Sequence, residues 1–112
     1  MENKFIILYN DNLEPYIILS NVNYHREIEA PSDMGRPIGR AGGGKWFINS
    51  NGELKLYDLS SDFGKYDKKM AQEAFNNKHI YYSDKPAYQK FKIAKLKMEW
   101  LLLQTYKKCR IR

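Results

Sequence analysis

A run of three glycines, Gly42-Gly43-Gly44, is the feature that most restricts the fold of this chain. Because glycine has no side chain, other groups can approach the backbone there closely. Lys45 follows the run directly and places a cation beside it. Bare amides next to a cation are components of sites that bind oxyanions or phosphate. The glycine content alone is equally consistent with a flexible loop or with a bulge that opens a strand.

The residues after the glycine run predict a β-hairpin. The apolar segment 46–48 precedes Asn51-Gly52, the strongest short hairpin signal, and apolar side chains then alternate at Leu54 and Leu56. We therefore expect strands over residues 45–49 and 53–59. The second strand leads into the segment 60–64, which contains Ser60-Ser61 and which we expect to form a turn.

The sequence before the glycine run predicts an antiparallel pair of strands and a long loop. Apolar runs at residues 4–9 and 15–20 flank a turn-prone segment, and each reads as a buried strand. Residues 21–30 are polar and predict a turn that enters one short helix, with Ile28 turned inward. Residues 31–44 contain two prolines and five glycines, which predict a loop with a short extended piece at 37–38.

Two helices and a further strand are predicted in the second half. Asp67 is suited to cap a helix over residues 67–77, whose apolar stripe contains Met70, Ala71, Ala74 and Phe75. A strand over 79–83 follows. Residues 86–108 contain strong helix formers, with Pro86 suited to the first turn and Ser83 or Asp84 to the cap. The apolar alternation within residues 91–98 also fits a strand.

These elements predict a small single α+β domain over residues 1–112. We expect a mixed sheet of about five to six strands in a core over residues 1–84, and a basic helical extension over residues 85–112. The single cysteine, Cys109, cannot form an internal disulfide, which indicates a reducing compartment. The apolar run near the N-terminus has only five residues, too few for a signal peptide or membrane span. We therefore expect a cytoplasmic protein that does not bind membranes.

The net charge of +6 is concentrated in the last quarter of the chain. Residues 1–84 contain ten Lys or Arg against twelve Asp or Glu, whereas residues 85–112 contain nine against one. Such a basic segment is typical of a face that contacts protein or nucleic acid, and also of a solvated helix face. The apolar run 100–103 exceeds what one small core can cover, so we also expect that the C-terminal helix can pair with a second copy.

His25 is the main candidate for chemistry. Its polar neighbours predict a solvent-exposed imidazole that titrates near neutrality. Such a group can act as a general base or accept a phosphoryl group, or it can be a loop histidine without a role. His79 begins a predicted strand and is expected to be structural. The chain contains no metal-ligand spacing and no nucleotide-binding loop, so we expect neither a metal nor a cofactor.

Three motifs together resemble the phosphohistidine phosphatase family, which includes the janus and ocnus proteins. They are Tyr24-His25 with Ile28, then Gly42-Gly43-Gly44-Lys45, then Tyr57-Asp58-Leu59-Ser60-Ser61-Asp62-Phe63-Gly64. The resemblance covers residues 4–83 and implies one mixed sheet and phosphatase activity without a metal. The resemblance also implies that His25 takes the place of the catalytic histidine. Lys45 replaces an arginine, which keeps the charge and loses the bidentate fork.

The resemblance also implies a phosphate-binding set. Its members are the residues of the glycine run and of the turn after the hairpin, namely Gly43, Gly44, Lys45, Ser60, Ser61 and Asp62. We accordingly expect a metal-independent phosphatase that acts on phosphohistidine, phospholysine or another small phosphorylated ligand. The alternative is a non-catalytic binding protein on the same scaffold. It would use the anion pocket or the Lys-rich C-terminal helix to bind a protein, a nucleotide or nucleic acid.

Overall fold

A five-stranded mixed sheet organises the chain in the computed structural model, which describes residues 2–90 and residue 92. This architecture confirms the expected α+β fold. A second helical segment begins with residues 85–90. The elements in chain order are β1 (Glu2–Asn10), β2 (Pro15–Val22), two short 3-10 turns (His25–Glu27 and Ser32–Met34), β3 (Pro37–Ile48), β4 (Leu54–Tyr57), α1 (Lys68–Asn76) and β5 (Ile80–Tyr82).

The strand order is β4-β3-β1-β2-β5, with β1 at the centre. β1 pairs antiparallel with β2 and with β3, β3 pairs antiparallel with β4, and β5 lies parallel to β2. The Asn10 side chain organises the β1–β2 turn, because its Oδ1 accepts hydrogen bonds from the amides of Asn12 and Glu14. The predicted antiparallel pair, the hairpin at Asn51-Gly52 and the strand after α1 are all confirmed.

Both faces of the sheet are buried, which explains why β1 and β2 read as continuous apolar runs. Side chains of a strand alternate between faces, so β1 contributes to two separate clusters. The helix face contains Phe5, Ile7, Ile17, Leu19 and Trp46, covered by Ala71, Ala74 and Ala87. The loop face contains Ile6, Leu8, Tyr16 and Ile18, covered by Ile28 and Met34.

Side-chain caps fix the starts of both helical segments. The Asp67 carboxylate accepts a hydrogen bond from the Met70 amide at 3.0 Å, as expected for the predicted N-cap of α1. The Asp84 carboxylate accepts from the Ala87 amide at 2.9 Å and from the Asn21 amide at 2.7 Å. Asp84 therefore caps the second helical segment and ties it to β2. The remainder of the helix predicted over residues 86–108 lies outside the described residues, apart from residue 92.

One prediction before the glycine run is confirmed and one is wrong. Residues 21–30 contain the predicted turn and one short helix, the 3-10 turn His25–Glu27, although β2 continues to Val22 before it. Residues 37–44 do not form a loop, since β3 runs through them. The glycines mark a β-bulge, because two residues of β3, Ala41 and Gly42, lie opposite Ile7 alone. Ile28 is buried, as predicted.

Each glycine of the run lies against another part of the backbone. A Cβ at Gly42 would lie 2.2 Å from the Lys65 carbonyl oxygen. At Gly43 and Gly44 a Cβ would lie 2.4 Å from a carbonyl oxygen of β1 or β4. No side chain fits at these distances, so the run brings β1, β4 and the segment after the hairpin into direct contact with β3.

No helix in residues 2–90 and 92 combines the length and the apolar character needed to cross a membrane.

Replacing Gly42 by alanine tests the close approach at the bulge. Gly42 and Gly64 have nearly the same positive φ, +79° and +81°, but nothing lies within 4 Å of a Cβ at Gly64. Gly64→Ala should therefore show only the cost of the left-handed backbone, about 1–2 kcal/mol. Gly42→Ala adds a steric clash and should lower the free energy of unfolding by about 2–5 kcal/mol. Urea denaturation measures both, and equal losses would contradict the packing described above.

Candidate functional site

His25 is buried, which corrects the prediction that its polar neighbours keep it in solvent. Its side chain is 3% exposed, whereas Tyr24 is 50% exposed. The single 3-10 turn directs Tyr24 and Arg26 outward and His25 inward, onto the loop face. The space for its ring comes from Gly43, where a Cβ would lie 3.2 Å from His25 Cδ2. A contact between distant residues, and not the local sequence, decides the burial.

The hydrogen bond of His25 defines its tautomer. Nε2 lies 2.8 Å from the carbonyl oxygen of Gly44. A carbonyl oxygen can only accept, so Nε2 carries the proton in the neutral ring and Nδ1 carries a lone pair. Nδ1 is buried and has no hydrogen-bond partner among the described residues. The site thus contains a fixed imidazole with one nitrogen anchored to the backbone and the other unpaired.

Ser60 is buried at the start of its turn, where it organises the backbone. Its side-chain oxygen accepts hydrogen bonds from the amides of Asp62 at 3.2 Å and Phe63 at 3.0 Å. Its backbone exchanges two further hydrogen bonds with Gly64. The amide of Asp62, expected to contact phosphate, is therefore engaged within the turn. The neighbouring Ser61 is exposed.

The fold brings the three predicted motifs together. The amide of Gly43 donates to the carbonyl oxygen of Gly64 at 3.2 Å, which joins the glycine run to the serine turn. The Asp62 carboxylate accepts from the Arg26 amide at 3.2 Å and lies 3.5 Å from the Arg26 guanidinium. Asp62 therefore links the serine turn to the turn that carries His25, through a partly exposed ion pair whose direct contribution to stability is small.

Lys45 lies between two carboxylates. Its ammonium group is 3.6 Å from Glu2 and 3.6 Å from Asp58. These anions, Glu2 first, raise the pKa of Lys45 above its ordinary value. Lys45 therefore remains cationic at neutral pH, and its charge is compensated within the protein. The ion-pair contribution of Lys45 is present at neutral pH and is lost as the pH rises through its raised pKa.

Sequence reasoning missed a cleft on the loop face. The cleft has a volume of about 430 Å³ and is lined by Ile6, Leu8, Ile28, Ala30, Pro37, Ile38, Gly39 and Arg40. The guanidinium of Arg40 lies over the Phe63 ring, 4.5 Å from its centroid. Residues 37–40 were expected mainly in a loop, so nothing assigned their side chains to one face of a sheet. The only sequence signal for the cleft is the apolar pair Pro37-Ile38 close to Arg40.

Within residues 2–90 and 92, no group of three His, Cys, Asp or Glu side chains is arranged to hold a metal ion.

Comparison of the chain with protein-family models, with curated proteins and with solved structures gave no match.

Replacing Ser60 by alanine tests its role in the turn. The change removes the acceptor of two amide hydrogen bonds at a position that is 1% exposed. We expect the free energy of unfolding to fall by about 1–3 kcal/mol, because the amides lose a buried partner. Ser61→Ala is the matched control and should change stability by less than about 0.5 kcal/mol, as is usual for surface positions. Chemical denaturation measures the free energy of unfolding of both variants. An unchanged value in Ser60→Ala would contradict the role of Ser60 in organising the turn.

Proposed function

We propose that this protein is a metal-independent phosphatase in which Nδ1 of His25 performs the chemistry. The observation that carries the proposal is that the two ring nitrogens of His25 differ in their hydrogen bonding. Nε2 is bound to the Gly44 carbonyl, while Nδ1 keeps an unpaired lone pair. A histidine oriented in this way by a backbone carbonyl is suited to nucleophilic or general-base catalysis.

The reaction uses the lone pair in one of two balanced ways. As nucleophile, Nδ1 forms a bond to phosphorus while the bond to the leaving group breaks, and the leaving group takes the electron pair. Water then displaces the phosphoryl group from the histidine. As general base, Nδ1 takes a proton from water while the water oxygen attacks phosphorus in line; the bond from phosphorus to the leaving group breaks, and the leaving group takes the electron pair. Because Nδ1 is buried, either route requires a small displacement of the turn His25–Glu27 when substrate binds.

The surroundings of His25 supply groups that can stabilise phosphoryl oxygens. The serine turn is joined to the His25 turn by Asp62 and to the glycine run by Gly43. The exposed Ser61 lies on this turn, and Lys45 supplies a cation. Donors aimed at developing negative charge are the main electrostatic means of lowering such a barrier.

The resemblance to phosphohistidine phosphatases supports the same proposal. The three motifs that carry the resemblance are far apart in the sequence. In the fold they lie side by side, joined by the contacts of His25, Gly43 and Asp62. Phosphohistidine and phospholysine are therefore the first substrates to test.

A non-catalytic binding protein on the same scaffold is the second candidate. It is favoured by the engagement of groups that were expected to hold phosphate. The Gly43 amide donates to Gly64, the Asp62 amide donates to Ser60, and Lys45 lies between two carboxylates. A protein that only binds a ligand would leave these interactions intact.

Phosphate release from phosphohistidine and from para-nitrophenyl phosphate, with EDTA present, tests the proposal. His25→Gln retains an amide donor for the Gly44 carbonyl and removes the Nδ1 lone pair, so it separates chemistry from folding. We expect at least a roughly 100-fold loss of rate in this variant, in line with the contribution of a catalytic acid or base. The matched control is His79→Gln, because Nδ1 of His79 is also buried without a partner among the described residues, but His79 lies beside β5, stacked on Tyr16. It should keep the native rate.

Two results would contradict the proposal. Absence of release from the native protein on both substrates would favour the binding protein. Equal loss of rate in His25→Gln and His79→Gln would indicate an effect on folding and not on catalysis.

A further inference from the structure

The cleft on the loop face follows the part of β1 that pairs with Gly43 and Arg40. Ile6 pairs with Gly43, against which His25 packs, and Leu8 pairs with Arg40. Ile6 and Leu8 both line the cleft. Arg40 and the Gly43 position against which His25 packs therefore pair with the same stretch of β1, on the loop face.

Arg40 differs from Arg26 and Lys45, the two cations that belong to the predicted motifs. The Arg26 guanidinium is paired with Asp62, and the Lys45 ammonium with Glu2 and Asp58. Among the side chains that the structure describes, no carboxylate lies within 4 Å of Arg40. Its guanidinium is exposed and is oriented by the Phe63 ring. Arg40 therefore offers a planar, uncompensated cation at the cleft.

The remaining lining of the cleft is mostly apolar. Six of its side chains carry no polar atom, namely Ile6, Leu8, Ile28, Ala30, Pro37 and Ile38, and Ile38 is 50% exposed. A volume of about 430 Å³ lies in the range of small-molecule sites. An apolar wall that ends in one arginine is complementary to a small molecule with an apolar body and an anionic end.

We propose that the substrates are small phosphate compounds with an aromatic or other apolar leaving group, held by this cleft. The apolar group packs against Ile28 and Ile38, and the phosphoryl oxygens accept hydrogen bonds from the Arg40 guanidinium. The substrate class rests on the proposed function, which requires that a phosphoryl group held by Arg40 reach His25. Arg40 is then a substrate-binding residue that the sequence motifs did not include.

Binding of two phosphonates tests the cleft separately from catalysis. Benzylphosphonate and methylphosphonate share the anionic group, resist hydrolysis at the carbon–phosphorus bond and differ in the apolar body. Titration calorimetry or NMR titration of the native protein should give at least about tenfold tighter binding of benzylphosphonate, because burial of a ring of that size is favourable.

Variants test which residue binds the anionic group of the ligand and which residue contacts its apolar body. Arg40→Gln should weaken both phosphonates at least about tenfold, since each loses a charge-assisted hydrogen bond. Ile38→Ser should weaken benzylphosphonate only. Lys69→Gln makes the same change of charge on the exposed side of α1, which packs on the other face of the sheet, and should change neither affinity. Thermal unfolding of each variant verifies that it is folded.

The outcomes separate this proposal from the proposed function. Equal affinity of the native protein for the two phosphonates, or equal effects of Arg40→Gln and Lys69→Gln, would overturn the cleft assignment even if phosphate release depends on His25. If the phosphonates bind as expected but the protein releases no phosphate, the cleft remains a binding site for anions with an apolar body. The proposed phosphatase activity would then be wrong.

Discussion

The contact of bare backbone at Gly42–Gly44 is the constraint on which the rest of the structure depends. Three parts of the chain, in β1, in β4 and after the hairpin, approach this run to distances that leave no room for a side chain. The bulge formed with β1 turns β3 at the same point. Because of that approach, the serine turn bonds to Gly43 and the His25 ring packs against it. The contacts that pack these segments against the glycines therefore also bring the parts of the candidate site together.

Ion pairs within the protein determine which charged groups of the site are already compensated. Carboxylates hold both Arg26 and Lys45, and they also tie together the segments on which these residues lie. An anionic ligand that approaches Arg26 or Lys45 must therefore compete with a carboxylate of the protein. His25 contributes a nitrogen without a partner, and Arg40 contributes a charge without a described counterion. The chemistry of the site thus depends on two groups that the internal network leaves unsatisfied.

Local signals in the sequence were sufficient for most of the fold. The Asn51-Gly52 turn, the Asp67 cap and the apolar strand runs each act over a few residues, and the structure has all of them. The burial of His25 could not be predicted in this way, because it depends on a glycine eighteen positions along the chain. The extent of β3 was missed for a related reason. Glycine and proline usually indicate loops, and only pairing with β1 makes an extended strand favourable there.

The lengths of the strands have a consequence for behaviour at high concentration. The outer strands β4 and β5 have four and three residues, whereas the inner strands β1 and β3 have nine and twelve. Each of these outer strands therefore presents only a short row of backbone groups that another chain could pair with, and Lys55 adds a charge to β4. The long apolar segments that drive folding are enclosed on both sides. The apolar strands that are most prone to aggregate therefore lie inside the sheet, where neighbouring molecules do not reach their backbone groups.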